Sequence, residues 1–175
     1  RLTATDVLQL PKSLFNQTPL SFALNAHLTI DQVAKNGQPA SFSKIAKDPS
    51  GQTRFTQWRI EYPSSGLKQS DELPTISIVY HGHIDESPTE SGGLRFVRPD
   101  KTNGHIGPEG IYLTSETFWY PTWEQHLVTF DVTLTLPADW QAITQGQETN
   151  QSVTGEQRIS QWSIHSPTEA LTLAA

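Results

Sequence analysis

The 175-residue chain contains no cysteine and no methionine. Without cysteine there are no disulfides and no thiolate metal sites, so any metal would rest on histidine and carboxylate ligands. Nothing in such a chain marks a redox compartment. The lack of methionine extends to the first position, which implies processing or an excised segment. An excised segment is the expectation here, because Glu169-Ala-Leu-Thr-Leu-Ala-Ala175 stops where a strand is starting. Charge is sparse: 12 Lys and Arg against 18 Asp and Glu give a net charge of −6. No basic field exists to follow a phosphate backbone, which argues against nucleic-acid binding. No apolar run reaches the roughly 18 to 20 residues of a membrane-spanning helix, and Arg1-Leu-Thr-Ala-Thr-Asp6 lacks the apolar centre of a signal peptide. Convincing helical stripes are missing too, since Pro11 interrupts the one candidate, Asp6 to Phe15. The Gln-, Thr- and Ser-rich, Lys-poor composition and the missing initiator suit a periplasmic or cell-envelope protein.

What the sequence does contain is apolar alternation with period two, which places every second side chain on one face of a sheet. Phe22, Leu24, Ala26, Leu28 and Ile30 alternate with polar or small residues and read as one half-buried strand. Ile76, Ile78, Tyr80, Gly82 and Ile84 do the same opposite Ser77, Val79, His81 and His83. The cleanest case is Val128, Phe130, Val132, Leu134 and Leu136, set against Thr129, Asp131, Thr133 and Thr135. Weaker strands are expected at Arg54 to Tyr62, Trp140 to Thr144 and Arg158 to Ile164. Between them lie turn-rich stretches such as Asn36-Gly-Gln-Pro39, Asp48-Pro-Ser-Gly51 and Pro63-Ser-Ser-Gly66. The expected fold class is all-β, an antiparallel β-sandwich forming a single domain over 1–175. Residues 1–19 read as an irregular lead-in and 85–110 as a long loop. A chain of this length buries roughly 70% of its unfolded surface, enough for a core without staples.

Chemistry is thinly signalled. His81-Gly-His83 projects two imidazoles from one strand face, as β-scaffold metal sites require, with His27, His105 or Asp85 as possible third ligands. The favoured reading of the same pair is two solvent-facing histidines opposite a buried Tyr80 and Ile84. There is no G-x-S-x-G elbow, no phosphate-cradling glycine loop leading into a helix, and no H-E-x-x-H. Trp119, Tyr120 and Trp123, with Phe118 alongside, form an aromatic cluster whose favoured reading is core or interdomain packing, a stacking platform for sugars or a partner surface being the alternative. The triplets at Asn16 and Asn150 matter only in a glycosylating host.

The order of several short pieces carries more than any one of them. Phe22-Ala-Leu-Asn-Ala-His-Leu-Thr-Ile30, Tyr80-His-Gly-His-Ile84, Gly110-Ile-Tyr-Leu113, Trp119-Tyr-Pro121 and Val128 to Gly146 follow one another in a pattern that resembles the amino-terminal β-domain of the aminopeptidase N family of zinc metallopeptidases. The resemblance runs from about Leu20 to the carboxyl end. It implies a saddle-like β-sandwich that precedes a thermolysin-like catalytic domain, with Leu171-Thr-Leu-Ala-Ala175 leading towards that domain. It also implies a peptide substrate, and a zinc supplied with its ligands by the downstream domain, so that this chain alone has no activity. In the family a Gln or Glu just after the G-x-Y turn binds the substrate's free amino group, and Glu116, four positions beyond Tyr112, is the nearest match. A carboxylate suits that role through a charge-assisted hydrogen bond to an ammonium ion. The family's arginine-containing stretch before the aromatic-proline segment is absent here. Two alternatives stand beside this reading. One is a free-standing carbohydrate- or protein-binding sandwich using Trp119, Tyr120 and Trp123. The other is a small metal enzyme centred on His81 and His83.

Overall fold

The computed structural model describes residues 1–10, 19–45, 54–61, 73–86, 104–123 and 127–175. Its contacts divide the chain into two compact units, Arg1–Ile84 with Phe118–Glu124, and Asp85–Thr117 with Gln125–Ala175. Apart from one short 3-10 turn, the regular structure among the described residues of both is β, in antiparallel pairings, so the all-β expectation is met.

The first unit contains β1 (Leu2–Gln9), β2 (Leu20–Asn25), β3 (Leu28–Lys35), β4 (Gln38–Pro39), β5 (Ser41–Lys44), β6 (Phe55–Glu61) and β7 (Thr75–Gly82). They form two sheets, ordered β1-β7-β3-β4 and β2-β6-β5. Strand β7 lies inside the first sheet, paired to β1 from Leu2↔Gly82 to Gln9↔Thr75 and to β3 on its other side. Its alternation is therefore expressed in full, and Ile76, Ile78 and Tyr80 are completely buried. The second sheet supplies Leu20, Phe22, Leu24, Trp58 and Ile60 to the core. Each sheet hides one face, as a layered β fold requires.

Residues 22–30 are not one strand. The run breaks at Ala26 and His27, where the Asn25 side chain accepts the His27 backbone N–H at 2.9 Å, and the chain passes from the β2 sheet to the β3 sheet. An Asx-type turn satisfies a backbone donor locally, and its short polar residue is invisible to a hydrophobicity count. Residues 2–9, expected in an irregular lead-in, are strand β1. Leu2, Ala4, Asp6 and Leu8 are half-buried and Thr3, Thr5, Val7 and Gln9 exposed.

The second unit contains β8 (Asp85–Glu86), β9 (Gly104–Gly107), β10 (Gly110–Leu113), β11 (Val128–Pro137), β12 (Ile143–Thr144), β13 (Gln147–Thr154), β14 (Gln157–Thr168) and β15 (Leu173–Ala174). One sheet runs β12-β15-β10-β9-β8, the other β11-β14-β13. Strands β8 and β9 and the start of β10 fall within the stretch expected as a long loop, of which residues 87–103 lie outside the described ones. Strand β11 matches the strongest sequence signal, with Phe130, Val132, Leu134 and Leu136 opposite Ile164, Trp162, Ser160 and Arg158 of β14. Those four β11 side chains are half-buried rather than enclosed.

This difference between the units sets their sensitivity to truncation. Ile78→Ala removes a wholly buried side chain from the middle of a sheet and should cost about 2–5 kcal/mol. Leu134→Ala, on a half-exposed face, should cost clearly less, as read from urea-unfolding midpoints of the two variants.

Candidate functional site

The turn expected to meet a substrate is built on β9 and β10. These strands pair with Ile111 opposite Ile106 and Tyr112 opposite His105. Ile106 and Leu113 are buried, which turns Tyr112 to the other face, where it is 43% exposed. Register extends the row across the sheet, from Asp85 to His105, Tyr112, Ala174 and Ile143. After β10 the chain makes a single 3-10 turn, Ser115–Thr117, that presents Glu116 to solvent. Thr117 fastens that turn. It is fully buried, its backbone N–H donates to the Thr114 carbonyl at 3.1 Å, and its hydroxyl oxygen accepts the Thr114 N–H at 3.2 Å. The seat for Thr117 is Gly104, where a Cβ would collide with the Thr117 side chain and where φ is +141°. Only glycine combines that conformation with that approach.

His105 lies beside Tyr112 and between two carboxylates. Its Nδ1 is 3.0 Å from Asp85 Oδ1 and its Nε2 lies 2.5 Å from Glu109 Oε1. Sequence spacing gave no reason to join Asp85, His105 and Glu109, because the β8–β9 pairing brings the first two together across 20 positions.

His81 and His83 are not brought into a metal site. His81 lies on β7 with Nδ1 2.7 Å from Asp31 Oδ2, while His83 follows the end of the strand and is exposed. His105 and Asp85, two of the possible third ligands, belong to the other unit. Among the described residues no group of three His, Asp or Glu side chains is disposed to hold a metal. The donors among the described residues therefore do not make up a catalytic zinc site.

The aromatic segment 118–123 belongs to the first unit and runs antiparallel beside β2. Asn25 N–H donates to the Phe118 carbonyl at 2.8 Å, and Ala23 and Thr122 exchange bonds of 2.9 and 3.0 Å. Its rings interlock with the strands. Trp119 is 6% exposed and meets Tyr120 edge-on at 86°, Trp123 packs on Phe22 with centroids 5.5 Å apart, and Phe118 packs on Phe55 at 4.7 Å. Phe118 adopts φ +52°, an unfavourable backbone conformation for a bulky residue. The carbonyl of Trp119 accepts from the Tyr80 hydroxyl at 3.2 Å, and the same hydroxyl donates to Asp6 Oδ2 at 3.2 Å. Burial raises the Asp6 carboxyl to about 6, opposed by that hydrogen bond, and burial raises the Tyr80 hydroxyl well above its usual range, reinforced by the Asp6 charge. Asp6 is the one charged residue on the inward stripe of β1.

No protein-family model and no curated protein sequence matches the chain. Solved structures do. An M1 zinc metallopeptidase from Deinococcus radiodurans superposes with a TM-score of 0.62 at 17% identity, over 99% of this chain and 36% of that one. A mutant of that enzyme bound to a Tyr-Ser-Ala substrate gives a TM-score of 0.62 over 90% of this chain and 34% of that one. Native leukotriene A4 hydrolase from Saccharomyces cerevisiae superposes with a TM-score of 0.55 at 14% identity, over 99% of this chain and 26% of that one. The chain has the fold of an all-β part of these enzymes, as the sequence resemblance implied, and spans about a third of their length or less.

Gly104→Ala tests how the Glu116 turn is held. The added methyl group opposes Thr117 and a backbone unsuited to alanine, so a loss of about 2 kcal/mol or more is expected. Faster amide exchange at Thr114 and Thr117 should accompany it. Unchanged exchange at those amides would show that Gly104 does not seat the turn.

Proposed function

We propose that this chain is the non-catalytic amino-terminal domain of an aminopeptidase-like zinc metallopeptidase, shaping the substrate cleft and packing on a downstream catalytic domain of the same polypeptide. The observation that carries this reading is the superposition of 99% of the chain on about a third of an M1 zinc metallopeptidase. Zinc, its ligands and the peptide-cleaving chemistry belong in this reading to the downstream domain, in agreement with the absence of H-E-x-x-H from the sequence.

Within this reading, Glu116 is the group that receives the substrate's free amino terminus and Tyr112 lines its approach. What supports the assignment is local: both side chains are exposed, four positions apart, on a strand end and a turn whose neighbour Thr117 is rigidly seated. A carboxylate held on a fixed turn pairs with an ammonium ion at small entropic cost, and orients the peptide without touching the scissile bond. The interlocked packing of Trp119, Tyr120 and Trp123 supports their use in holding the domain together, as the same reading has it.

Elemental analysis and hydrolysis of amino-acid arylamides should be carried out on the 175-residue chain and on the longest product of its reading frame. Zinc and activity are expected in the long product alone. In that product Glu116→Ala should lower kcat/KM about 10- to 100-fold, mainly through KM, which corresponds to the loss of one charge-assisted hydrogen bond. A long product without zinc or activity would remove the peptidase reading, and an unchanged KM would remove the role of Glu116 alone.

A further inference from the structure

Three oxygens stand in a row inside the first unit, Asp6 Oδ2, the Tyr80 hydroxyl and the Trp119 carbonyl, with 3.2 Å at each step. Tyrosine has one hydroxyl hydrogen, while a carboxylate and a carbonyl have none to give. With Asp6 ionised, two acceptors share that hydrogen, and the charged one holds it more strongly. With Asp6 protonated, the carboxyl O–H donates to the Tyr80 oxygen and Tyr80 donates onward to Trp119, so both steps are filled. The array is complete only when it holds the additional proton.

We propose that Asp6, Tyr80 and Trp119 form a proton-operated latch, which fastens the aromatic segment 118–123 to the β1-β7-β3 sheet in mild acid and loosens it as the pH rises. The two ends of the latch lie far apart in sequence, on β1 and on the segment beside β2, and β7 carries the switch between them. Ile78 lies opposite Asp6 in register and Ala4 opposite Tyr80, so the cross-strand neighbours of the pair are apolar. The titratable groups acting on the pair are Tyr80 of β7 on Asp6, and Tyr120 of the segment on Tyr80. This inference does not depend on the peptidase reading.

The sign follows from burial. Asp6 is raised in the folded chain from 3.8 to about 6. Below about 3.8 the carboxyl is protonated whether the chain is folded or not, and its contribution is fully present. Between 3.8 and about 6 the unfolded chain gives up its proton first, so stability falls as pH rises, and above that window the contribution is gone. The separation corresponds to about a 10- to 100-fold fall in the folding equilibrium constant once residual exposure of Asp6 is allowed for.

The decisive experiment is a ¹³C-carboxyl titration of Asp6 in the 175-residue chain, followed together with the backbone amides of Trp119, Tyr120 and Thr122, for wild type and D6N. Asp6 should titrate near 6 and the three amides should move with it. In D6N the amides should lose that step and keep their acid-side positions, because the asparagine amide donates to Tyr80 as the carboxylic acid does. The folding equilibrium constant of wild type relative to D6N should fall about 10- to 100-fold between pH 4 and pH 7. An Asp6 midpoint near 4, or an unaltered amide step in D6N, would overturn the latch. Y80F should separate the Trp119 amide from Asp6 titration, and the D6N comparison decides the question even if Y80F fails to fold.

Discussion

The structure of the first unit depends on enclosing Tyr80. Strand β7 is paired on both edges and its inward side chains are enclosed, Tyr80 being the largest of them to be wholly buried. Its ring adds apolar area to the core, but its hydroxyl loses water, and an unpaired buried hydroxyl costs several times what a normal hydrogen bond contributes. That requirement places a polar partner on the neighbouring strand, where an apolar stripe would otherwise continue, and a backbone carbonyl on the far side. Asp6 and Trp119 meet it, and in doing so they join the β1 edge, the central strand and the aromatic segment through one atom.

A phenylalanine at position 80 would avoid the requirement, and an asparagine at position 6 would meet it without burying an ionisable group. The sequence instead carries an acid whose charged form the site disfavours. A group of that kind makes the packing of the segment depend on solution conditions, which neutral residues of the same shape would not do.

The fold was legible where burial is one-sided. Strands β7 and β11 announced themselves because apolar and polar residues alternate over eight or more positions. Strand β13 did not, since all eight of its residues are exposed and an edge strand with no buried face has no hydrophobic period to read. Strand β1 was hidden by Asp6, whose charge interrupts the stripe at the position where the core needs a polar partner. The break between β2 and β3 was hidden because hydrophobic parity continues through Ala26 while the backbone turns at Asn25. Of the candidate site, Tyr112 and Glu116 could be named from the order of motifs, whereas Asp85, His105 and Glu109 are joined by strand pairing that a linear pattern does not contain. Local rules fail at such places because a tertiary contact has overridden them.

The accessory role proposed above also agrees with magnitudes. Peptide-bond hydrolysis by an enzyme requires roughly 8–23 kcal/mol of transition-state stabilisation, drawn mainly from a nucleophile, an acid–base pair and electrostatic groups aimed at developing charge. Among the described residues, the groups that face solvent include carboxylates, the exposed Tyr112, His27 and His83, while His81 and His105 each lie against a carboxylate. One carboxylate meeting an ammonium ion supplies about 1.5–3 kcal/mol, the scale of the amino-end recognition proposed for Glu116. A rigid β scaffold that seats Glu116 through Thr117 and Gly104 is suited to that limited task, because orientation is lost when the supporting contact moves by even an ångström.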